Sequence, residues 1–75
     1  MSHVDRVTID PLVQHGKPVI RGTRVPVSRI VGAIAAGMTF EQVQSDYGVA
    51  AEDVRAALEY AQRLIDEQQH FPLAG

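Results

Sequence analysis

The stretch TFEQVQSDYGVAAEDVRAAL, residues 39–58, predicts two helices separated by a short turn that contains a glycine. Thr39 is a good N-cap, and Gln42 follows three residues later, which is the spacing of a capping box. Gly48 ends the first of these helices, because glycine is favoured just past a helix C-terminus. Two helices joined in this way make a helix-turn-helix candidate, although small helical bundles share the spacing.

The helix after this turn is predicted to be the longest, from about Glu52 to about Gln69. Its apolar stripe consists of Val54, Ala57, Leu58, Ala61, Leu64 and Ile65. A shorter helix is predicted before the pair, over residues 27–36, since apolar side chains recur there at helical spacing. They are Val27, Ile30, Val31 and Ile34. Gly37 ends this helix, while Gly32 inside it leaves room for another backbone to come close.

The residues before the helices predict a short β-element and a basic segment. Residues 7–9 alternate apolar and polar side chains, as a strand does, and residues 18–20 form a second short apolar run. The basic segment GKPVIRGTRVPV, residues 16–27, contains Lys17, Arg21 and Arg24. It is either a cationic edge for an anionic partner or a hairpin with a solvated basic face.

Charge is divided unevenly along the chain. Residues 1–38 hold five basic against two acidic side chains, a net charge of +3. Residues 39–75 hold two basic against seven acidic side chains, a net charge of −5. This division indicates two surfaces with different partners, or head-to-tail attraction between protomers.

Composition limits the class of protein. We expect one domain for 75 residues, with the β-element and basic segment at 7–27, the helical core at 27–69 and a flexible tail at 70–75. The chain has no cysteine and three scattered histidines, so neither a disulfide nor a metal site is expected. No membrane span, signal segment, catalytic motif or cofactor motif is evident. We therefore expect a cytoplasmic protein that is not an enzyme and carries no cofactor.

The candidate functional residues form two groups. The predicted DNA contacts are Lys17, Arg21, Arg24, Arg29 and Arg55. The predicted contacts with a protein partner are Tyr60, Leu64, Phe71 and Leu73. Glu52 and Asp53 open the last helix and would repel phosphate, which disfavours a conventional insertion of that helix into the major groove. For Arg21 and Arg24 the alternative is an ion pair with an acid of the C-terminal half.

Three blocks of the chain, in this order, resemble a small bacterial family known as domain of unknown function 433. The first block comprises Ile9, Pro11 and residues 16–27, the second is AAGMTFE at residues 35–41, and the third comprises Tyr47 and EDVRAALEYA at residues 52–61. The resemblance covers residues 7–66. The chain departs from the family where many members place Thr or Ser before the last helix, since Ala50 and Ala51 stand there. It also has His15 where relatives often carry a second glycine.

The resemblance implies a mainly α fold: a three-helix helix-turn-helix domain, homeodomain-like or winged-helix-like, with a short N-terminal β-element. It implies an antitoxin similar to the VapB type, encoded beside a toxin with a PIN-like ribonuclease fold. Such an antitoxin would bind and neutralise its toxin, form a homodimer or higher oligomer, and repress its own operon by binding operator DNA. The alternative is a protein-interaction or dimerisation module whose helix-turn-helix is only a scaffold and binds no DNA.

Overall fold

The computed structural model describes residues 4–68, which form a small β-hairpin followed by three helices. Strands β1 (Val7–Ile9) and β2 (Pro18–Ile20) are antiparallel, with Thr8 paired to Val19 at the centre of the register. The helices are α1 (Val27–Ala35), α2 (Phe40–Tyr47) and α3 (Ala51–Gln68). The predicted mainly helical fold with a short N-terminal β-element is confirmed.

The core lies where the three helices and the inner face of the hairpin meet. Each element contributes at least one buried apolar side chain, and α1 and α3 share the most extensive contact. The buried residues are Val7, Val19, Ile20, Val27, Ile30, Ala33, Val43, Val49, Val54, Ala56 and Ala57. Two alanines of α3, Ala56 and Ala57, have no exposed surface.

The predicted capping box fixes the start of α2. The Thr39 Oγ accepts a hydrogen bond from the Gln42 backbone N–H at 3.1 Å, and the Gln42 Oε1 accepts one from the Thr39 N–H at 2.8 Å. Gly48 closes the helix in the left-handed conformation, with φ of +66°. Both predicted ends of α2 are therefore confirmed.

Replacing Thr39 with alanine is expected to lower the free energy of unfolding by about 1 kcal/mol, because one helical N–H loses its acceptor. Urea denaturation followed by circular dichroism measures the change. Thr8→Ala is the matched control, because the Thr8 side chain caps no helix and lies on the hairpin. An equal loss in the two variants would contradict this role of the capping box.

The start of α3 explains how the chain does without a Ser or Thr cap. The helix begins at Ala51, one residue earlier than predicted, and Ala50 has no side-chain oxygen to offer. Instead, the Asp53 Oδ2 accepts a hydrogen bond from the Ala50 N–H at 2.9 Å, which is one half of a capping box. The acidic residue thus replaces part of the missing cap.

The turn between the strands contains three successive residues with positive φ. Gln14, His15 and Gly16 have φ of +50°, +57° and +81°. The Lys17 N–H closes this turn by donating to the Gln14 carbonyl at 3.1 Å. His15 therefore adopts the left-handed conformation that glycine takes more readily, so the turn forms with a residue other than glycine at this position.

The apolar stripe predicted for α3 was only partly right. Val54, Ala57 and the unpredicted Ala56 are buried, but Leu64 and Ile65 are 40% and 57% exposed. The last two turns of α3 extend past the part of the helix that packs on the core, so Leu64 and Ile65 are only partly covered within residues 4–68. In that same range, no helix is long and apolar enough to span a bilayer.

Candidate functional site

A tight turn after β2 presents two of the predicted DNA contacts. Gly22 has φ of +80°, and the Thr23 N–H and hydroxyl both donate to the Ile20 carbonyl, at 3.0 and 2.8 Å. The Thr23 Oγ also accepts from the Val25 N–H at 3.0 Å, so this one hydroxyl bonds both sides of the turn. Gly22 and Thr23 therefore serve to reverse the chain before α1.

Arg21 and Arg24 flank this turn and are both exposed. The Ile20 N–H donates to the Val25 carbonyl at 3.0 Å, which brings the chain segments on either side of the turn together. The Arg21 Nε donates to the Asp5 carbonyl at 2.8 Å, and this bond orients the guanidinium. The Gln14 side chain donates to the Arg24 carbonyl at 3.1 Å and anchors the backbone there. Two cations are thus held on a braced backbone.

The remaining predicted DNA contacts lie apart from this turn. Lys17 precedes β2, whereas Arg21 follows it, so the length of the strand separates them. Arg29 is exposed in the first turn of α1. Arg55 is on α3, where its guanidinium carbon lies 5.9 Å from the centre of the Phe40 ring, a cation–π contact. The five residues therefore lie at four places in the fold, and Arg21 and Arg24 share one turn.

An ion pair that the sequence did not reveal joins Arg6, just before β1, to α3. The Arg6 Nη1 lies 3.1 Å from the Asp53 Oδ1, and the Asp53 side chain is 15% exposed. The sequence left open an ion pair between Arg21 or Arg24 and an acid of the C-terminal half. The arginine that pairs with Asp53 is instead Arg6. The pairing also offsets one of the two negative charges at the start of α3, so that helix end repels phosphate less than its sequence indicates.

A second surface is an apolar groove between α1 and α3, with a volume of about 570 Å³. We call it the α1–α3 groove. Its lining comes from the end of the turn between the strands, the start of β2, one face of α1 and one side of α3. The lining residues are Lys17, Pro18, Val27, Ser28, Val31, Gly32, Tyr60, Ala61 and Leu64. Lys17 is the charged residue among them.

Two of the four predicted partner contacts lie among the residues that the structure describes. Tyr60 and Leu64 both line the α1–α3 groove. Phe71 and Leu73, like the predicted tail as a whole, lie outside the described residues. The sequence signal that identified Tyr60 was its position off the centre of the apolar stripe. Gly32 lies on the opposite wall, and the sequence predicts that it leaves room for another backbone to come close.

Among residues 4–68, no three His, Asp or Glu side chains come together as a metal site. A second, smaller cavity of about 280 Å³ lies beside the ion pair and is lined by Asp5, Arg6, Arg21 and Asp53. In this cavity the Arg6 and Asp53 side chains pair with each other, and the Arg21 Nε donates to the backbone carbonyl of Asp5.

The fold and these surfaces define a small helix-turn-helix protein with a basic turn after β2 and an apolar groove between α1 and α3. Residues 7–61 match the family model described as "Protein of unknown function (DUF433)". The chain belongs to this family, and the matched residues include both the basic turn and most of the groove.

Two curated relatives share this region. One, from Mycobacterium tuberculosis (strain ATCC 25618 / H37Rv), is named "Putative antitoxin VapB45" and is 42% identical over 53 residues, covering 71% of this chain and 22% of that protein. The other is the uncharacterized protein y4eO of Sinorhizobium fredii (strain NBRC 101917 / NGR234), 40% identical over 57 residues, covering 75% of this chain and 26% of that protein. The chain thus spans about a quarter of the length of these relatives.

Two crystal structures share the fold. Rv2018 from Mycobacterium tuberculosis superposes with a TM-score of 0.68 at 40% identity, covering 76% of this chain and 27% of that one. A DUF433 member from Anabaena variabilis superposes with a TM-score of 0.75 at 32% identity, covering 83% of this chain and 62% of that one.

Proposed function

We propose that this protein is an antitoxin, which acts by binding a protein toxin in fixed stoichiometry rather than by catalysis. The observation that carries the proposal is membership of DUF433, together with the antitoxin name of the mycobacterial relative. The toxin proposed is a PIN-like ribonuclease encoded beside this protein. The proposed contacts with protein partners are Tyr60 and Leu64 on the α1–α3 groove, with Phe71 and Leu73 beyond α3.

The second part of the proposal is repression of the protein's own operon, through a cytoplasmic homodimer that binds operator DNA. Arg21 and Arg24 support it, because guanidinium groups on a braced turn can each bind a phosphate with paired hydrogen bonds. Lys17 and Arg29 add positive charge to the N-terminal half, which carries a net charge of +3. In this arrangement the turn, rather than the start of α3, makes the main contact with the phosphate backbone.

The alternative function is a protein-interaction module that binds no DNA. Its support is the acidic start of α3, where Glu52 is exposed, and the position of Arg55 against Phe40 instead of over open surface. A helix-turn-helix would then serve only as a scaffold for the groove. This alternative keeps the protein partner and removes the operator.

Co-expression with the neighbouring reading frame of the native host tests the antitoxin proposal. We expect the neighbour alone to stop growth, and this protein to restore it while co-purifying with the neighbour at a constant ratio. Cleavage of RNA by the purified neighbour should fall as this protein is titrated in. An unrelated small helical protein expressed at the same level is the control. Growth arrest that this protein does not relieve, with no co-purification, would refute the proposal.

A further inference from the structure

The Asp53 carboxylate uses its two oxygens for two different bonds. Its Oδ2 accepts a hydrogen bond from the Ala50 N–H at 2.9 Å, which caps the start of α3. Its Oδ1 accepts one from the Arg6 Nη1 at 3.1 Å, and the Asp53 side chain is only 15% exposed. Because the first bond holds the carboxylate against its own helix, the second binds Arg6 to a fixed place on α3.

The segment that contains Arg6 in turn holds Arg21. Asp5 and Arg6 belong to a short turn of 3₁₀ helix at Val4–Arg6, and both of their carbonyls accept hydrogen bonds from Arg21. The Arg6 carbonyl accepts from the Arg21 backbone N–H at 2.7 Å, and the Asp5 carbonyl accepts from the Arg21 Nε at 2.8 Å. A continuous series of bonds therefore runs from α3 through Asp53 and Arg6 to both the backbone and the guanidinium of Arg21.

The charges of these residues lead to the opposite expectation. Asp5, Arg6, Arg21 and Asp53 line one cavity of about 280 Å³, so a carboxylate lies close to the cation that is proposed to meet phosphate. A negative charge near a phosphate contact weakens binding by repulsion. On charge alone, removal of the Asp53 carboxylate would strengthen the binding of DNA.

We propose that Asp53 is a positioning residue for Arg21, which it holds, through Arg6, in the orientation that meets a phosphate. The proposal deepens the operator contact proposed above for the basic turn and rests on it. A guanidinium that is already oriented loses less conformational entropy on binding than one that must first be ordered. An acidic residue at the start of α3 thus strengthens the binding of an anion that its charge repels.

The variant Asp53→Asn separates the ion pair from the helix cap. Its amide oxygen can still accept the Ala50 N–H, whereas the negative charge that attracts Arg6 is lost. Glu52→Gln is the matched control, because it removes the same charge one residue earlier, from a side chain that is exposed. In fluorescence anisotropy with the upstream duplex, we expect Asp53→Asn to weaken binding about threefold, and Glu52→Gln to strengthen it or leave it unchanged. Arg6→Lys keeps a cation for Asp53 and should stay within about twofold of the wild type.

Hydrogen exchange of the free protein, followed in amide-proton NMR spectra, measures the positioning without DNA. We expect Asp53→Asn to speed exchange of the Arg21 backbone N–H about threefold, because its acceptor on Arg6 is held less firmly. The Thr23 N–H, which donates to the Ile20 carbonyl within the basic turn, is the internal reference and should exchange as in the wild type. Circular dichroism should show an unchanged helix content, since the cap of α3 is retained.

The two measurements distinguish this inference from the function on which it rests. If the wild type binds no upstream DNA while Asp53→Asn speeds exchange at Arg21 alone, operator binding fails and the positioning of Arg21 is supported. Exchange at Arg21 that Asp53→Asn leaves unchanged would overturn the inference, and so would an equal increase at Arg21 and Thr23. Tighter binding of DNA by Asp53→Asn than by the wild type would overturn it as well, because repulsion would then outweigh positioning.

Discussion

Replacing Arg21 and Arg24 together with alanine is expected to weaken binding to the DNA upstream of this gene roughly 50-fold at about 0.1 M salt. Each arginine that neutralises one phosphate releases condensed counterions, so the slope of log affinity against log salt falls by about 0.9 per contact. Removing two contacts therefore lowers the slope by about 2. Fluorescence anisotropy with an upstream duplex, between about 50 and 200 mM salt, measures both quantities.

The control retains the charge and changes only the geometry. Arg21→Lys with Arg24→Lys keeps both cations but loses the planar guanidinium, so we expect the salt slope to stay near the wild-type value while affinity falls modestly. Arg55→Ala should have less effect than the double alanine variant, because Arg55 stands over Phe40 near the acidic start of α3. Unchanged affinity of the double alanine variant at low salt would remove the basic turn from the DNA contact.

Replacing Ile30 with alanine is expected to lower the free energy of unfolding by about 2–5 kcal/mol. Ile30 has no exposed surface and lies in the core formed by α1 with the other elements, so the deletion leaves a cavity there. Domains of this size have a total stability of only about 4–11 kcal/mol. The variant is therefore expected to lose a large share of its stability and to melt at a clearly lower temperature than the wild type, as urea denaturation and thermal melts followed by circular dichroism would show.

Ile9→Ala is the matched control, since it deletes the same atoms from a side chain that is 57% exposed. We expect its loss of stability to stay below about 1 kcal/mol, because little apolar surface returns to water. Both variants are measured at low micromolar concentration, so that self-association does not add to the measured free energy of unfolding. Comparable losses in the two variants would contradict the assignment of Ile30 to the centre of the core.

Local sequence patterns predicted the elements of this fold well because their causes are local. The capping box at Thr39, the closing glycines and both strands depend on residues within a few positions of one another. The number and order of helices follow from the same short-range patterns. His15 is a local exception, since a residue with a Cβ adopts the conformation that the turn requires.

The candidate sites were predicted less completely, because they depend on contacts between distant residues. Periodicity placed Leu64 and Ile65 on the apolar stripe of α3, but it carries no information about where the packing partner of a helix ends. The ion pair of Arg6 with Asp53 joins residues 47 positions apart, and no local pattern marks it. The sequence placed Arg21 and Arg24 in the basic segment, whereas the bracing of their turn by Thr23, Gln14 and Asp5 required the structure.

The Arg6–Asp53 pair bears on the order in which the chain folds. Its two partners are far apart in sequence, so closing the intervening loop has an entropic cost that the short-range helix caps do not have. The Arg21 N–H also donates to the Arg6 carbonyl at 2.7 Å, which ties the basic turn to the same N-terminal segment. We therefore expect the locally capped helices to form before this pair, and the pair then ties the segment that holds the basic turn to α3.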